Sequence, residues 1–145
     1  MTDPRRIFAN IPFPKASQLL GFQPLEMDAA TGRVVIQFEG KPEFANPMGN
    51  IQGGFLAAML DECMAVAALA KSNFTVVVPT LEMKVSYLMP AGIGRLVGTG
   101  RVVKLGKSIA FLEGELADDK GDILARASAT GMVVPAPWLK KSETS

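Results

Sequence analysis

The chain has 145 residues, with 15 Lys and Arg against 14 Asp and Glu, a formal net charge of +1 and no histidine. This length predicts a single domain, residues 1–145, that buries enough surface to be stable without disulfides or a structural metal. The Lys and Arg residues form no basic cluster along the chain, which excludes the charge pattern of a nucleic-acid-binding surface. The lack of His excludes Ser-His-Asp and Cys-His nucleophilic sites and most zinc sites. The single cysteine, Cys63, fits a reducing cytoplasm and is expected to be a small buried hydrophobe.

The first third of the chain predicts a surface segment, a helical turn, a β-hairpin and a loop. The segment is polar and then rich in proline, which is not typical of a signal peptide. The hairpin strands are joined by a short turn that ends in glycine. In chain order these elements are residues 1–14, 15–20 with Gly21 as the helix end, 22–28 and 33–38 as the strands, and 39–50 as the loop.

The longest apolar run, residues 55–70, is rich in Ala, Leu and Met and has no proline, which predicts a helix of about four to five turns. The loop before it contains the turn signals Asn-Pro, Gly-Asn and Gly-Gly. Asp61 and Glu62 lie in the middle of the run, where an unpaired buried charge is costly. Because the run is short and carries two central carboxylates, a membrane span is not predicted.

A helical wheel divides this run into two faces of different size. The bulky face includes Cys63 and suits a protein core. The face that carries Asp61, here called the small face, otherwise consists of Gly54, Ala57, Ala58, Ala65 and Ala68. A substrate or a partner subunit can approach the helix backbone there. Alternatively, Asp61 pairs with Lys or Arg at the rim of the core or reaches solvent. Glu62, about 100° away on the wheel, is predicted to be a rim or structural carboxylate.

Four predicted strands follow the helix. The first, residues 76–87, is interrupted at Pro79 and then alternates, with Leu81, Met83, Val85 and Tyr87 on one face and Thr80, Glu82, Lys84 and Ser86 on the other. The others are residues 94–105, 108–117 and 123–134, with turns at 90–92, 106–107 and 118–122. Residues 138–145 are predicted to be a mobile tail. Runs of strands with one long helix predict an α+β fold with an antiparallel sheet.

The spacing Asn46-x2-Gly49-x2-Gln52-Gly53-Gly54-x6-Asp61 resembles the signature of the hotdog-fold acyl-CoA thioesterases, in particular the phenylacetate-type, PaaI-like group. The resemblance extends from about residue 19 to residue 134. It implies a hotdog fold, in which the sheet wraps around the central helix. It also implies hydrolysis of acyl-CoA by a homodimer or homotetramer, without a metal or cofactor, since coenzyme A is part of the substrate. The chain departs from the group at Gln52, which stands where the group has His and cannot titrate.

Carried over to this chain, the resemblance implies that Asp61 is the base or nucleophile and that the Gly53 N–H polarises the thioester carbonyl. Asn46 would orient the water or the carbonyl, and Thr80 would help to place the water. The residues implied to bind substrate are Gln52, Gly54, Ala57, Ala65, Arg101, Lys104 and Lys107. Other interpretations stay open: an Asx-turn for Asn46, an ordinary strand residue for Thr80, and a solvated hairpin tip for the three basic residues.

The positions of these residues suit thioester chemistry. The first amides of a helix lack intrahelical acceptors and carry the positive end of the dipole, and glycine lets a ligand oxygen approach them. Asp61 lies about 11 Å further along the axis than Gly54 by rise alone. The N-terminal amides and the Asp61 carboxylate of the same helix therefore cannot both act on one thioester carbonyl, so a dimer is expected. A non-catalytic acyl-CoA-binding hotdog protein is the second hypothesis; a hotdog hydratase, which usually relies on His, is the third and is disfavoured.

Overall fold

The computed structural model describes Phe8 and residues 13–142. The elements in chain order are α1 (Lys15–Leu19), β1 (Gln23–Asp28), β2 (Arg33–Gly40), a 3-10 turn (Pro42–Phe44), α2 (Gly53–Lys71), β3 (Val76–Val77), β4 (Thr80–Tyr87), β5 (Gly94–Leu105), β6 (Ile109–Ala117), β7 (Ile123–Met132), β8 (Val134–Pro135) and α3 (Pro137–Ser142). The predicted hairpin, central helix and later strands are thus confirmed. The central helix begins two residues before the predicted run and ends one residue after it.

Six antiparallel strands form the main sheet, in the order β1–β2–β5–β6–β7–β4. The central helix α2 packs against this sheet, chiefly on β5, β6 and β2. Its buried residues are Leu56, Met59, Leu60, Cys63, Met64, Val66, Ala67, Ala68 and Ala70. One long helix against a six-stranded antiparallel sheet confirms the predicted α+β class and hotdog architecture.

Two glycines of β5 let the central helix approach the sheet closely. A Cβ added at Gly98 would lie 2.3 Å from the Sγ of Cys63, and one added at Gly100 would lie 2.1 Å from the carbonyl oxygen of Cys63. Cys63 is completely buried, and this burial raises the pKa of its thiol. The prediction that Cys63 is a small buried hydrophobe is confirmed.

The small face is not open along the whole of α2. The helical wheel places Ala68 on this face, but Ala68, in the last turn of the helix, is covered and fully buried. The reason is that the chain folds back over this turn, where the Phe74 N–H donates to the Leu69 carbonyl and β3 contacts the helix. Asn73 and Phe74 make the reversal with positive φ angles of 54° and 65°. The other members of the small face remain partly or fully exposed: Gly54, Ala57, Ala58, Asp61 and Ala65.

The alternation predicted for β4 is wrong at the start of the strand. A bulge between Thr80 and Glu82 shifts the register of β4 against β7. Thr80 consequently reaches α2, as does Tyr87 at the other end of the strand, whereas Glu82 lies in a groove with Phe111. This bulge decides which residues of β4 can take part in a site on the helix.

Aromatic contacts fix the described parts of both chain ends. The ring of Phe8 lies 5.3 Å from that of Phe13 and 5.7 Å from that of Phe74, between centroids. Trp138, predicted to lie in a mobile tail, belongs instead to α3, and its indole N–H donates to the Phe74 carbonyl over 2.8 Å. The rest of the predicted surface segment, residues 1–7 and 9–12, and residues 143–145 lie outside the described residues.

The central helix is long and apolar enough to cross a membrane by length and composition alone. The expectation from the sequence underestimated its length, because the helix extends beyond the apolar run to 19 residues. Half of its most apolar 18-residue stretch is buried within the fold. A core helix that is covered by a sheet has the same composition, and this is the position that α2 occupies.

Candidate active site

The first cluster of candidate residues surrounds Asp61 on the small face of α2. The half-buried Asp61 carboxylate accepts a hydrogen bond from the Thr80 hydroxyl, with 2.6 Å between Oγ1 and Oδ1. In the described part of the chain, no Lys or Arg forms an ion pair with Asp61, and its partner there is the Thr80 hydroxyl. Ala57, Ala58 and Ala65 leave the helix surface beside it open. We call Asp61, Thr80 and these three alanines the acid half-site.

Glu62, the neighbouring carboxylate, has a different environment. It accepts a short hydrogen bond from the hydroxyl of Ser17, a buried residue of α1. Burial raises the pKa of Glu62, the Ser17 bond opposes this effect, and the charge of Asp61 adds to it. Glu62 therefore ties α1 to the central helix, as its position on the wheel predicts. No group of three His, Cys, Asp or Glu side chains among the described residues could hold a metal ion.

The second cluster lies at the N-terminus of α2. Gln52, the N-cap residue, is exposed and makes no side-chain capping bond. Its backbone N–H donates to the Phe44 carbonyl, and the N–H of Ile51 donates to the Ala91 carbonyl, each over 2.8 Å. The N–H groups of Gly53 and Gly54 have no acceptor among the described residues. They are two unused donors at the positive end of the helix dipole.

Asn46 contributes to the loop in front of these amides. Its Oδ1 accepts hydrogen bonds from the backbone N–H groups of Met48 and Asn50, at 3.0 and 3.1 Å. The side-chain oxygen therefore forms an Asx-turn, as one interpretation of the sequence expected. The side-chain NH2 has no acceptor among the described residues and remains able to donate to a ligand.

Tyr87 joins this cluster from the end of β4. Its hydroxyl donates to the Gly53 carbonyl oxygen over 2.7 Å. Its ring packs so closely on Gly53 that a Cβ there would lie 3.1 Å from the ring carbon Cζ. We call Asn46, Gly53, Gly54 and Tyr87 the amide half-site.

A cleft adjoins the amide half-site, between the loop that carries Asn46 and the end of β4. Side chains not predicted as site residues line it: Met48, Ile51, Leu56, Tyr87, Leu88 and Met89. Met48, Leu88 and Met89 are exposed by 85%, 52% and 45%. The sequence did carry a signal for this cleft, the apolar run Tyr87-Leu88-Met89 directly before a turn. A strand that only covers a core would become polar at that point.

The two half-sites do not meet within one chain. Asp61 lies eight residues after Gly53, or roughly 12 Å along the helix axis. Thr80 and Tyr87 lie at opposite ends of β4, so the sheet separates the half-sites in the same way as the helix does. The structure therefore brings Asp61 to Thr80, and Asn46 to Gly53, but does not bring the two pairs together.

The three basic residues predicted to bind substrate lie apart from the amide half-site. Lys104 and Lys107 are exposed near the turn between β5 and β6. The strand register places that turn at the same end of the sheet as Thr80. Arg101 follows the inward-facing Gly100, so it lies on the face of the sheet away from α2, where it pairs with Glu113 at 3.1 Å. Arg101 is thus separated from both half-sites.

The geometry can be compared with known proteins. The family model described as "Thioesterase superfamily" matches residues 48–125, which include the amide half-site glycines, Asp61 and Thr80. The chain belongs to the thioesterase superfamily. This membership confirms the family resemblance seen in the sequence.

Named relatives and solved structures resemble this thioesterase over most of its length. It is 30% identical over 128 residues to a Saccharolobus solfataricus protein named as an esterase, covering 88% of this chain and 90% of that protein. It is 29% identical over 106 residues to acyl-coenzyme A thioesterase 13 of Homo sapiens, covering 72% and 75%.

Among solved structures, a thioesterase of Ralstonia eutropha JMP134 described as a phenylacetic acid degradation-related protein has a TM-score of 0.82 and 33% identity, covering 88% of this chain and 96% of its own. A Streptococcus mutans protein solved with acetyl CoA shares the fold, with a TM-score of 0.72, 20% identity, and coverage of 79% and 90%. These structures agree with the hotdog fold of this thioesterase.

Proposed function

We propose that this thioesterase hydrolyses acyl-CoA thioesters to the free acid and coenzyme A, with Asp61 as base or nucleophile. The observation that carries the proposal is the Asp61–Thr80 pair, a carboxylate on an open helix face that accepts the Thr80 hydrogen bond and has no ion-pair partner among the described residues. A carboxylate oxygen that is open to a water molecule can serve as a general base. The names of the relatives and the acetyl CoA bound to the Streptococcus mutans protein support acyl-CoA as the substrate class.

In the base mechanism, Asp61 takes a proton from a water molecule, and the water oxygen attacks the thioester carbonyl carbon. The carbonyl oxygen becomes an oxyanion, which the Gly53 N–H stabilises. Collapse of this intermediate breaks the carbon–sulfur bond, and the coenzyme A sulfur leaves as a thiolate that takes up the proton. In the nucleophile mechanism, a carboxylate oxygen of Asp61 attacks the same carbon, the carbon–sulfur bond breaks, and coenzyme A leaves as a thiolate. Water then hydrolyses the resulting anhydride, which releases the free acid, restores the Asp61 carboxylate and supplies the proton that the thiolate takes up.

Thr80 and Asn46 have supporting roles in this scheme. The Thr80 hydroxyl occupies Oδ1 of Asp61, which leaves Oδ2 for the water or the carbonyl carbon. The side-chain NH2 of Asn46 is available to donate to the carbonyl oxygen or the water. Gln52, Gly54, Ala57, Ala65, Lys104 and Lys107 are proposed to contact the substrate. The reaction requires neither a metal nor a cofactor, since coenzyme A arrives with the substrate.

We also propose that the active unit is a homodimer, or a homotetramer that contains two such dimers. Within one chain the half-sites are separated by roughly 12 Å of helix. If the small face of one protomer packs near the helix N-terminus of its partner, Asp61 of one subunit faces the Gly53 amide of the other. The exposure of Ala58 and Gly54 leaves room for such a contact.

The second candidate is a non-catalytic protein that binds acyl-CoA or an acyl group. The observation that favours it is Gln52, which is exposed, makes no side-chain capping bond and cannot transfer protons. Both candidates use the same cleft and the same basic residues, so binding alone does not separate them.

Turnover against a panel of acyl-CoA thioesters, followed by release of the coenzyme A thiol, tests the proposal. We expect hydrolysis of at least one short-chain, medium-chain or aromatic acyl-CoA. Calorimetry with the same compounds detects binding separately. Tight binding without thiol release would favour the second candidate, and a monomer of about 15 kDa by light scattering at micromolar concentration would contradict the shared site.

A further inference from the structure

We propose that Tyr87 is a positioning residue that fixes and polarises the Gly53–Gly54 peptide, so that the Gly54 N–H becomes a second donor to the substrate carbonyl oxygen. This inference rests on the proposed function, because it names a further part of the same site. It starts from the hydrogen bond between the Tyr87 hydroxyl and the Gly53 carbonyl oxygen, which spans 2.7 Å.

The hydrogen bond acts on the correct peptide unit. The Gly53 carbonyl and the Gly54 N–H belong to one amide group, so a donor at the oxygen draws electron density away from the nitrogen. The N–H then becomes a stronger donor, as in any chain of cooperative hydrogen bonds. A carbonyl oxygen has two lone pairs, so Gly53 can accept from Tyr87 and from the helix backbone together.

The first turn of α2 needs an anchor from outside the helix. It begins with two glycines, which lose more conformational freedom on ordering than any other residue. Gln52 supplies no side-chain cap. Tyr87 supplies the missing restraint twice, through its hydroxyl and through a ring so close that a Cβ at Gly53 would lie 3.1 Å from its Cζ.

Gly54 is open where Gly53 is closed. A Cβ added at Gly54 would have no heavy atom within 4 Å, so packing inside the chain does not require glycine at this position. Gly54 is exposed, and its N–H has no acceptor among the described residues. A group from outside the chain can therefore reach this amide, and the neighbouring Gly53 lines a cleft together with Tyr87.

The test compares Tyr87→Phe with Ser86→Ala. The first variant keeps the ring and removes the hydroxyl; the second removes a hydroxyl from the adjacent exposed position of the same strand. For Tyr87→Phe we expect kcat to fall about three- to tenfold, as the loss of one hydrogen bond permits, with KM and Tm unchanged. Ser86→Ala should match the wild type in all three quantities.

A second measurement does not depend on activity. In nuclear magnetic resonance spectra without substrate, Tyr87→Phe should shift the amide resonance of Gly54 and speed hydrogen exchange at Gly53 and Gly54, and Ser86→Ala should leave both unchanged. An unmoved Gly54 resonance overturns the inference, whether kcat stays at the wild-type value or falls in parallel with Tm. If the wild type cleaves no thioester, the proposed function fails, while the resonance still tests the contact.

Discussion

The acid half-site and the amide half-site do their chemistry with different parts of the chain. The acid half-site depends on one side chain, Asp61, in the middle of a helix whose other face is packed into the core. The amide half-site depends on backbone N–H groups at a helix end, which are held in place by contacts with Phe44, Ala91 and Tyr87. A substitution at Asp61 should therefore change activity without changing stability, whereas a substitution at Gly53 should change both. The following experiments test this difference between the half-sites.

The largest effect is expected for Asp61→Asn. The amide has the shape of the carboxylate and can still accept the Thr80 hydrogen bond, but it cannot act as a base or an anionic nucleophile. We expect kcat to fall by about 10² to 10⁴ with no change in Tm. Glu62→Gln is the matched control, because it makes the same change one residue along the helix. More than a tenth of wild-type turnover in Asp61→Asn, at an unchanged Tm, would mean that Asp61 is structural.

At the amide half-site, Gly53→Ala and Gly54→Ala should differ in stability but not in activity. The first methyl meets the Tyr87 ring, so Tm and turnover should both fall. The second meets nothing within the chain, and alanine favours a helix over glycine by about 1 kcal/mol. Gly54→Ala should thus keep or raise Tm while it lowers kcat about tenfold or more, as expected for an obstructed donor. Full activity of Gly54→Ala, measured with acyl-CoA turnover, would remove Gly54 from the site.

Ala65→Leu and Ala67→Leu compare the small face with the core. Ala67 is fully buried, so the larger side chain should overpack it and cost about 1–3 kcal/mol of unfolding free energy. Ala65 is only half-buried, and its variant should keep Tm but raise KM for bulky acyl groups or dissociate on dilution. Thermal melts, light scattering and acyl-chain profiles should be measured for both. Equal losses of Tm, without a change in acyl preference or oligomer size, would show that the small face is ordinary core.

The smallest effect is a pH dependence at Glu62. Because burial raises the pKa of this carboxyl in the folded state, the native protein binds more protons there than the unfolded chain does. The contribution to stability is therefore favourable below the ordinary glutamate pKa, about 4.3, and declines as pH rises toward the raised value. Glu62→Gln, which keeps an acceptor for Ser17, should gain Tm over the wild type as pH rises from 4 to 7. A constant difference across this range would contradict the raised pKa.

Sequence patterns indicated the position of Asp61 on the helix but not its contact with Thr80, for a physical reason. A carboxylate in an apolar helix is visible as a residue type, and the small face follows from helix periodicity. The contact of Asp61 with Thr80 depends on a bulge that is set by pairing between β4 and β7, and alternation along β4 alone placed Thr80 on the wrong face. Register between distant strands leaves no local trace in the sequence.

The role of Tyr87 was also hidden from the sequence. Alternation placed it on one face of β4 with Leu81, Met83 and Val85, but nothing local indicates that its hydroxyl meets the carbonyl of Gly53, 34 positions earlier in the chain. The burial of Ala68 and the contact made by Trp138 were missed for the same reason, since the turn at Phe74 brings other segments over them. Periodicity assigns a residue to a face, whereas tertiary contacts decide what covers that face.

The close approach of β5 to Cys63 gives this enzyme a built-in reporter. The chain has one thiol, and it lies between α2 and two glycines that leave no gap above it. A disulfide reagent that detects released coenzyme A should find no competing thiol while the sheet stays closed, because the reactive thiolate is both shielded and disfavoured by its raised pKa. Without substrate, the slow labelling of Cys63 then measures how often the helix and the sheet separate. The same reagent thus measures catalysis when substrate is present and transient opening of the core when it is absent.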